Sequence, residues 1–573
     1  MRILLVRRVL FAGLTLIWIG LFSTQVIQGG RYRQQSEKNR TRLIHLPGAR
    51  GSILDRRGMP LVEDRMAFEL RALPQELKDP ALAWKRLQKL LGIPAQELAR
   101  RYRNGFQARF SPVTLVRNLP ARTAFLLEED KMEVPGILVQ AVPQRSYPSG
   151  AAVGGISGYV GLIAPAELTR LKSYGYTFRD RIGKDGLEQQ YDSFLRGEDG
   201  GVYLEVNAQG RFVQEMGFRA PRRGRQLTIS IDGRLQELCY RVLSPGEGAV
   251  IVMDTRTGEI LALVSSPSFD PNAFVDSSRG DEVRDWLQSP SRPMFNRATR
   301  ARVPPGSTFK AAVAYEALRE GKIAPGTAFD CTGLFRLGRT VFHCWDERGH
   351  SYQTAADALQ HSCNVFFYNT GRRLGVAGIA AAARLFQLDR ATGLDLPREA
   401  KGLVPDAAWM KQATGRTWQE GDTLSYAIGQ GALLVTPMEM LMLFTAIAMD
   451  GEMPQPHLLL SAEGEPALKA PKKNRIPLDP TALSTVKRGL ERVVQSETGT
   501  GRLAQVPGVP IAGKTGTAQV SRGASHAWFC GYAPASSPRF AVVVFLEHGG
   551  KGGLRAAQVA GQMIAYLKEM DYL

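Results

Sequence analysis

The chain opens on an apolar run, VLFAGLTLIWIGLFSTQVI, and carries no charge from Val9 to Gly30. As a helix this run is long enough to cross a hydrocarbon layer of about 30 Å. It lacks the small-x-small cleavage pattern of a signal peptide, which predicts a retained anchor. Arg2, Arg7 and Arg8 precede it and favour a cytoplasmic N-terminus, although Arg31 and Arg33 on the far side narrow the contrast. No second apolar run of that length follows. The pattern therefore divides into a cytoplasmic tail at 1–8, a transmembrane anchor at 9–28 and one exported portion.

Beyond the anchor, the polar and helix-compatible RYRQQSEKNRTRLIHL leads into PGARGSILDRRGMPLVED, a turn-rich stretch with alternating apolar positions. Helical spacing in LAWKRLQKLLG, PAQELARRY and LPARTAFLLEED predicts a helical insertion over about 66–135. ILVQAVPQRSYPSGAAVGGISGYVG reads as strands and turns, and GLEQQYDSFLRGEDG as one amphipathic helix closed by glycines. The basic linker RAPRRGR, a solvated segment by default, precedes the β-branched LTISID, so one domain is drawn over 29–225 and another over 226–573. The second opens with the helix DGRLQELCYRVL and the strands GAVIVMDT and GEILALVSS. It closes with the strand RFAVVVFLEHGG and a helix from Leu554. Strands at both ends of a helix-rich middle predict an α+β domain with an antiparallel sheet flanked by helices.

Composition adds little to this outline. At 44% hydrophobic and 22% charged, with 59 Gly and 33 Pro scattered over 573 residues, the chain is ordinary folded protein, neither disordered nor repetitive. The formal net charge of +19 raises nucleic acid as a partner. An exported chain does not meet it, and the Lys and Arg residues are spread along the whole length, so an anionic membrane surface or cell-wall polymer fits better.

In ARVPPGSTFKAAVAYEALREG a Pro-Pro-Gly turn precedes Ser307, which falls at the start of an apolar helix. The helix dipole favours a developing alkoxide there, and Lys310 at i+3 lies on the same face. Lys310 can act as the base if burial or a neighbouring cation such as Lys514 lowers its pKa. Alone, Ser-x-x-Lys is weak, because ordinary usage gives about two chance matches in a chain this long. Two more motifs follow in order: Ser362 and Asn364 bracketing Cys363 in a helical region, then Lys514, Thr515, Gly516 and Thr517 on a strand, with Gly516 open to close approach of a ligand. Gly429-Gln430-Gly431 reads first as a turn before a helix, and the Trp and Phe of AWFCGYAP as sheet core.

Ser-x-x-Lys, Ser-x-Asn and Lys-Thr-Gly in this order resemble the signature of the penicillin-binding transpeptidases. The resemblance implies acyl transfer, with Ser307 attacking the carbonyl between the two D-alanines of a stem peptide and an amine of a neighbouring stem resolving the acyl-enzyme. Lys310 then serves as base, Ser362 as proton relay to the leaving amine and Asn364 as holder of the acyl chain. Lys514, Thr515 and Thr517 bind the terminal carboxylate, and the backbone N–H groups of Ser307 and Thr517 receive the oxyanion. The donor adds as a strand along the Lys-Thr-Gly edge, and the Gly429-Gln430-Gly431 segment lies near the cleft.

The likeness extends upstream through RGSILDRRG, RSYPSG, GLEQQYDSFLRG and IVMDTRTGEILALVSSPSFDPN. These are similar to the class B enzymes, which have one anchor, an elongated α/β pedestal and no glycosyltransferase domain. Within that class the branch serving lateral wall elongation and cell shape fits best. The division branch is the alternative, and a non-turnover β-lactam sensor a more remote one. The resemblance implies as partners peptidoglycan stem peptides, β-lactams as inhibitors, and a membrane-embedded glycan polymerase of the shape, elongation, division and sporulation family. It also implies a catalytic domain on the periplasmic side of a cell inner membrane, and the sequence leaves open how far carboxypeptidase activity, hydrolysis of the terminal D-alanine, competes with transpeptidation.

Cys331, Cys344, His350 and Cys363 form a complete tetrahedral zinc set by residue type, although their gaps exceed those of zinc fingers. Spacing alone admits a Cys331–Cys344 disulfide equally well. The resemblance favours one structural Zn2+ per chain, because some members of the elongation branch carry such a site, often with Asp at the first two ligand positions. That leaves Asp330 as an alternative first ligand and His343 as a spare. Cys239 and Cys530 sit in apolar contexts that suit core packing.

Overall fold

The computed structural model describes residues 2–106, 109, 111–129, 134–178, 180–207, 212–465, 472–520 and 523–573. They form two compact units, each assembled from separated stretches of chain. The smaller comprises 1–51, 64–144 and 196–224, and the larger comprises 52–63, 145–195 and 225–573.

In the smaller unit the apolar N-terminal run is helical from Arg2 to Phe22, with a wider turn over Ser23–Ile27. The helix thus begins within the stretch expected as a tail. Among the described residues, Ile3–Ile27 is the one helix long and apolar enough to cross a membrane. Helix Gly29–Arg40 then feeds strand Thr41–Leu46 into a three-stranded antiparallel sheet with Gly200–Val206 and Phe212–Arg219.

The insertion is mixed rather than purely helical. Helices Pro80–Leu91, Ala95–Gly105 and Ala121–Glu129 share a core with strand Val113–Leu119, which pairs with Pro60–Ala72, itself paired with Ile137–Ser146. The physical reason lies in VTLVRNL, whose β-branched residues stand between Pro112 and Pro120. Proline biases the residue before it toward extended backbone, and β-branched side chains suit a half-buried pleat. Within the expected insertion, residues 107, 108, 110 and 130–133 lie outside the described residues.

In the larger unit, GLEQQYDSFLRGEDG forms two short helices, Gly186–Gln190 and Asp192–Leu195, where one was expected. Tyr191 at the break leaves helical geometry and donates its hydroxyl to Asp395 at 2.7 Å. The centre of the unit is a five-stranded antiparallel sheet. Its strands are β1 (Gly248–Asp254), β2 (Ile260–Ser266), β3 (Ala512–Ala518), β4 (His526–Ala533) and β5 (Phe540–Leu546), in the spatial order β2-β1-β5-β4-β3. The first two strands and the last three meet only through β1–β5 pairing, so the sheet closes over nearly the whole domain sequence.

Both faces of this sheet are covered, which is why β1 reads as a continuous apolar run instead of an alternating one. Val250 and Val252 face the layer made by helix α1 (Gly233–Leu243) and the C-terminal helix Arg555–Glu569. Ala249, Ile251 and Met253 face the other core, which holds helix α2 (Lys310–Arg319), helix α3 (Asn364–Leu385) and the fully buried Pro437–Ala448. Trp528 and Phe529 lie in the sheet core, as expected, and Cys239 and Cys530 are wholly buried. Strand β3, carrying Lys514 to Thr517, is at the sheet edge and so has one unpaired side.

Candidate active site

Ser307 stands in a single 3-10 turn, Gly306–Phe309, that leads into α2. In a 3-10 turn residues i and i+3 eclipse, so Ser307 and Lys310 share a face, and the Lys310 N–H closes the turn on the Ser307 carbonyl. Ser307 is half-buried, while Lys310 is fully buried. The Lys310 amine donates to the Ser362 carbonyl at 2.8 Å and to Asn364 Oδ1 at 2.7 Å, with Ser362 Oγ at 3.4 Å. The first two motifs therefore meet through one side chain.

Ser362 lies in the turn between helix Ala355–Gln360 and α3, and Asn364 is the first residue of α3, so the expected helical region is broken between the two. Ser362 has φ +52°, a left-handed conformation that costs a non-glycine residue roughly 1–2 kcal/mol. Cys363 caps α3, its sulfur accepting from Phe366 N–H at 3.5 Å. The strained turn is what directs both the carbonyl and the hydroxyl of Ser362 toward Lys310.

The third motif closes on the first. A Cβ placed on Gly306 would lie 2.8 Å from the Thr517 carbonyl oxygen, so the Ser307 turn rests directly against the free edge of β3. Gly516 departs from the expectation of room for a ligand. A Cβ there would come within 2.9 Å of the Pro305 carbonyl and 3.0 Å of Thr308, so its small size admits the serine turn. Lys514 is fully buried and donates to its neighbour's carbonyl, that of Thr515, at 3.1 Å. Thr515 donates its hydroxyl to Thr500 Oγ1 at 3.0 Å, and Gly552 N–H donates to Thr517 Oγ1 at 3.3 Å. Thr500 and Gly552 were not singled out in the sequence, because their contacts with β3 depend on how distant loops fold back onto it.

Burial pushes the Lys310 amine down to about 8, against the opposing pull of the nearby Cys363, Cys344 and Cys331. Of the two expected sources the cause is burial, and the charge of Lys514 is not among the causes. Lys514 is itself held well below its ordinary value, first by burial and then by the proximity of Lys310. Two amines deprived of water and close together disfavour double protonation, and Lys310 becomes predominantly neutral above about 8, well below the ordinary lysine range.

Behind Asn364 lies a cluster of Cys331, Cys344, His350 and Cys363, whose ligand atoms all fall within 4.8 Å of one another. His350 Nδ1 is 3.6 Å from Cys331 Sγ and 3.5 Å from Cys344 Sγ. A tetrahedral zinc with ordinary Zn–S and Zn–N bonds needs S···N edges of about 3.6 Å, so the residues fit such an ion. All five cysteines are free thiols, Cys331 and Cys344 included. The Cys344 thiol is pushed down, first by a hydrogen bond from Cys363, whose own thiol is pushed up by the same contact. A thiolate held among thiols suits a cation. Asp330 is exposed and outside the cluster, because successive residues of strand Phe329–Cys331 face opposite sides and Cys331 takes the inner one. His343 is also exposed, and its carbonyl instead accepts from Asn364 Nδ2 at 3.3 Å and Tyr368 at 3.2 Å.

Comparison with known proteins agrees with this geometry. Residues 45–229 match the penicillin-binding protein dimerisation domain, and residues 248–565 the penicillin binding protein transpeptidase domain. The peptidoglycan D,D-transpeptidase MrdA of Acinetobacter baumannii is 32% identical, aligned over 98% of this chain and 87% of the relative. Penicillin-binding protein PBP2 of Helicobacter pylori, solved in complex with MreC, superposes with a TM-score of 0.81 at 28% identity, covering 93% of this chain and 100% of that one. A chain from a peptidoglycan synthase complex that coordinates polymerization and crosslinking gives 0.76 at 31% identity, over 98% of this chain and 97% of that one. With both domains matched in order and a relative of this identity aligned over nearly its whole length, the chain belongs to the class B penicillin-binding proteins and is similar to penicillin-binding protein 2.

Proposed function

We propose that this chain is a peptidoglycan D,D-transpeptidase that forms peptide cross-links through an acyl-enzyme on Ser307, during lateral wall elongation and cell-shape maintenance. The observation that carries the reading is the buried amine of Lys310, bonded to both Ser362 and Asn364 and sharing a face with Ser307. In the free enzyme the neutral amine takes the Ser307 proton as the hydroxyl oxygen bonds to the penultimate D-alanine carbonyl. The negative oxygen that forms is received by the N–H groups of Ser307 and Thr517. The peptide bond then breaks, and Ser362 passes the proton from Lys310 to the departing D-alanine amine. In the second half the acceptor amine loses a proton along the same route and takes the acyl group, which frees Ser307. Water in place of the amine gives carboxypeptidase activity. Lys514, Thr515 and Thr517 bind the donor carboxylate at the edge of β3, where the donor adds as a strand.

Cys331, Cys344, His350 and Cys363 hold one structural Zn2+, which supplies a crosslink and no chemistry. Those four residues tie the hairpin after α2 to Cys363, and so steady Ser362 and Asn364 on either side of it. The helix Ile3–Ile27 supports a single-pass anchor in the cell inner membrane with the catalytic unit in the periplasm. A membrane-embedded glycan polymerase of the shape, elongation, division and sporulation family supplies the strands. A similar chain solved in a peptidoglycan synthase complex that coordinates polymerization and crosslinking supports a polymerase as partner, and one solved with MreC supports assembly with a further protein.

The deciding experiment feeds lipid-linked precursor to the full chain in detergent with such a polymerase, comparing wild type with Ser307→Ala. Cross-linked dimers are expected from wild type alone. Equal cross-linking by both proteins would exclude Ser307 as the nucleophile.

A further inference from the structure

The turn Gly429-Gln430-Gly431, which follows helix Glu420–Ala427, touches both sides of the catalytic groove. Gly306 N–H donates to the Gly429 carbonyl at 2.9 Å, fixing the turn to the residue just before Ser307. The approach is so close that a Cβ on Gly429 would fall 2.1 Å from the Gly306 carbonyl, and Gly429 has φ +72°, so only glycine fits. From the next residue, Gln430 Nε2 donates to the Thr517 carbonyl at 3.2 Å. The Gln430 N–H is returned to its own helix, bonding the Ser425 carbonyl at 3.0 Å. One rigid three-residue bridge thus spans from the serine turn to the free edge of β3.

The groups it connects are those whose spacing matters most. An oxyanion hole works only when its donors are held at a fixed separation before charge develops, because reorganising them during reaction forfeits the gain. Here one donor, Ser307 N–H, hangs on the turn held by Gly429, and the other, Thr517 N–H, belongs to the residue whose carbonyl Gln430 holds. Edge strands have no neighbour to fix their outer side. Thr517 is near the end of β3, where fraying would be greatest. The Gln430 side chain supplies the missing lateral bond. A carbonyl has two lone pairs, so this bond leaves one for the N–H of an added donor strand.

We infer that Gln430 is a positioning residue, whose carboxamide pins the Thr517 end of β3 to the serine turn and sets the oxyanion-hole spacing. This rests on the acyl-transfer reading above. Gln430 is half-buried and outside the apolar core, so its loss is felt in the chemical step and not in folding.

The test uses the full chain and fluorescent penicillin as the probe. Labelling rates measured over a range of penicillin concentrations separate the acylation rate constant k2 from the binding constant K. Gln430→Met keeps length and removes the donor, and Gln430→Glu keeps shape but offers only acceptors. Both are expected to lower k2 roughly tenfold, less than outright loss of an oxyanion donor, while K stays within twofold and the melting temperature holds. If k2 stays within twofold of wild type in whichever variant folds, the inference is overturned. A rise in K at constant k2 overturns it too, because the side chain would then touch the ligand directly. Wild type that takes up no penicillin at all would instead remove the acyl-transfer reading, and this inference with it.

Discussion

A buried amine whose hydrogen-bond partners are all neutral oxygens gains little from its charge. Lys310 is in that position, with Ser362 and Asn364 as partners and a value pushed down to about 8 by burial. Its folded value lies below the ordinary lysine range, so the neutral base predominates above about 8 and the ammonium below it. Acylation by fluorescent penicillin should therefore rise roughly tenfold per pH unit up to that point and level off beyond it, as for a single general base. Lys310→Arg, which keeps the charge but does not deprotonate, should lose about 10² or more of the rate at every pH. A flat wild-type profile between pH 6 and 10 would exclude Lys310 as the base. The residues of this constellation were legible in the sequence because each motif is local: a serine and a lysine one turn apart, a serine and an asparagine flanking one residue, a short strand. Contacts between motifs were not. Gln430 and Thr517 lie 87 positions apart, and the pairing of Thr515 with Thr500 depends on how a loop folds back on β3. Nor does the pattern show that Gly516 makes room for Pro305 instead of a ligand.

At the scale of elements, the segment between α2 and α3 carries two small antiparallel pairs, Phe329–Cys331 with Ser351–Gln353 and Leu334–Leu337 with Thr340–His343. Paired strands this short are marginal alone. The cysteine-histidine cluster joins this segment to the catalytic junction alongside the His343 carbonyl, since Cys344 accepts the Asn364 N–H at 3.3 Å and Cys363 lies between Ser362 and Asn364. Cys344→Ser should therefore lower zinc content from about one per chain, lower the melting temperature, and slow acylation together, because tetrahedral sites lose affinity steeply with one ligand. Metal analysis, thermal melting and penicillin labelling on the same preparation check this. A non-reducing mass map joining Cys331 to Cys344 would rule it out. Elements were legible wherever one face is buried, as in the amphipathic α1. They were misread where a short β-branched run lies between prolines, as in Val113–Leu119, and where a helix breaks at a residue with a distant partner, as at Tyr191. Period alone does not separate these cases.

At the scale of the whole molecule, every group assigned to the chemistry comes from the larger unit, between Gly306 and Gly552. The apolar helix Ile3–Ile27 belongs to the smaller one. The core around α2, α3 and Pro437–Ala448 is closed without the N-terminal helix, whose side chains are exposed along its length. The proposed acylation of Ser307 thus draws on the larger unit alone, whereas cross-linking needs the acceptor and donor strands delivered at a surface. Removing residues 2–28 separates the two. The truncated chain should stay in solution without detergent and take up fluorescent penicillin with k2/K within about twofold of the full chain, since every group assigned to the chemistry lies in the larger unit. Its cross-linking of polymerase-made glycan should fall by about tenfold or more, because anchoring raises the effective concentration of enzyme at nascent strands. That deficit should also deepen with salt if the excess of Lys and Arg holds the truncated chain near an anionic surface, since such attraction is screened beyond about 10 Å at 0.1 M. Loss of penicillin uptake on truncation would mean that the anchor shapes the groove itself, and the separation of chemistry from delivery would fail.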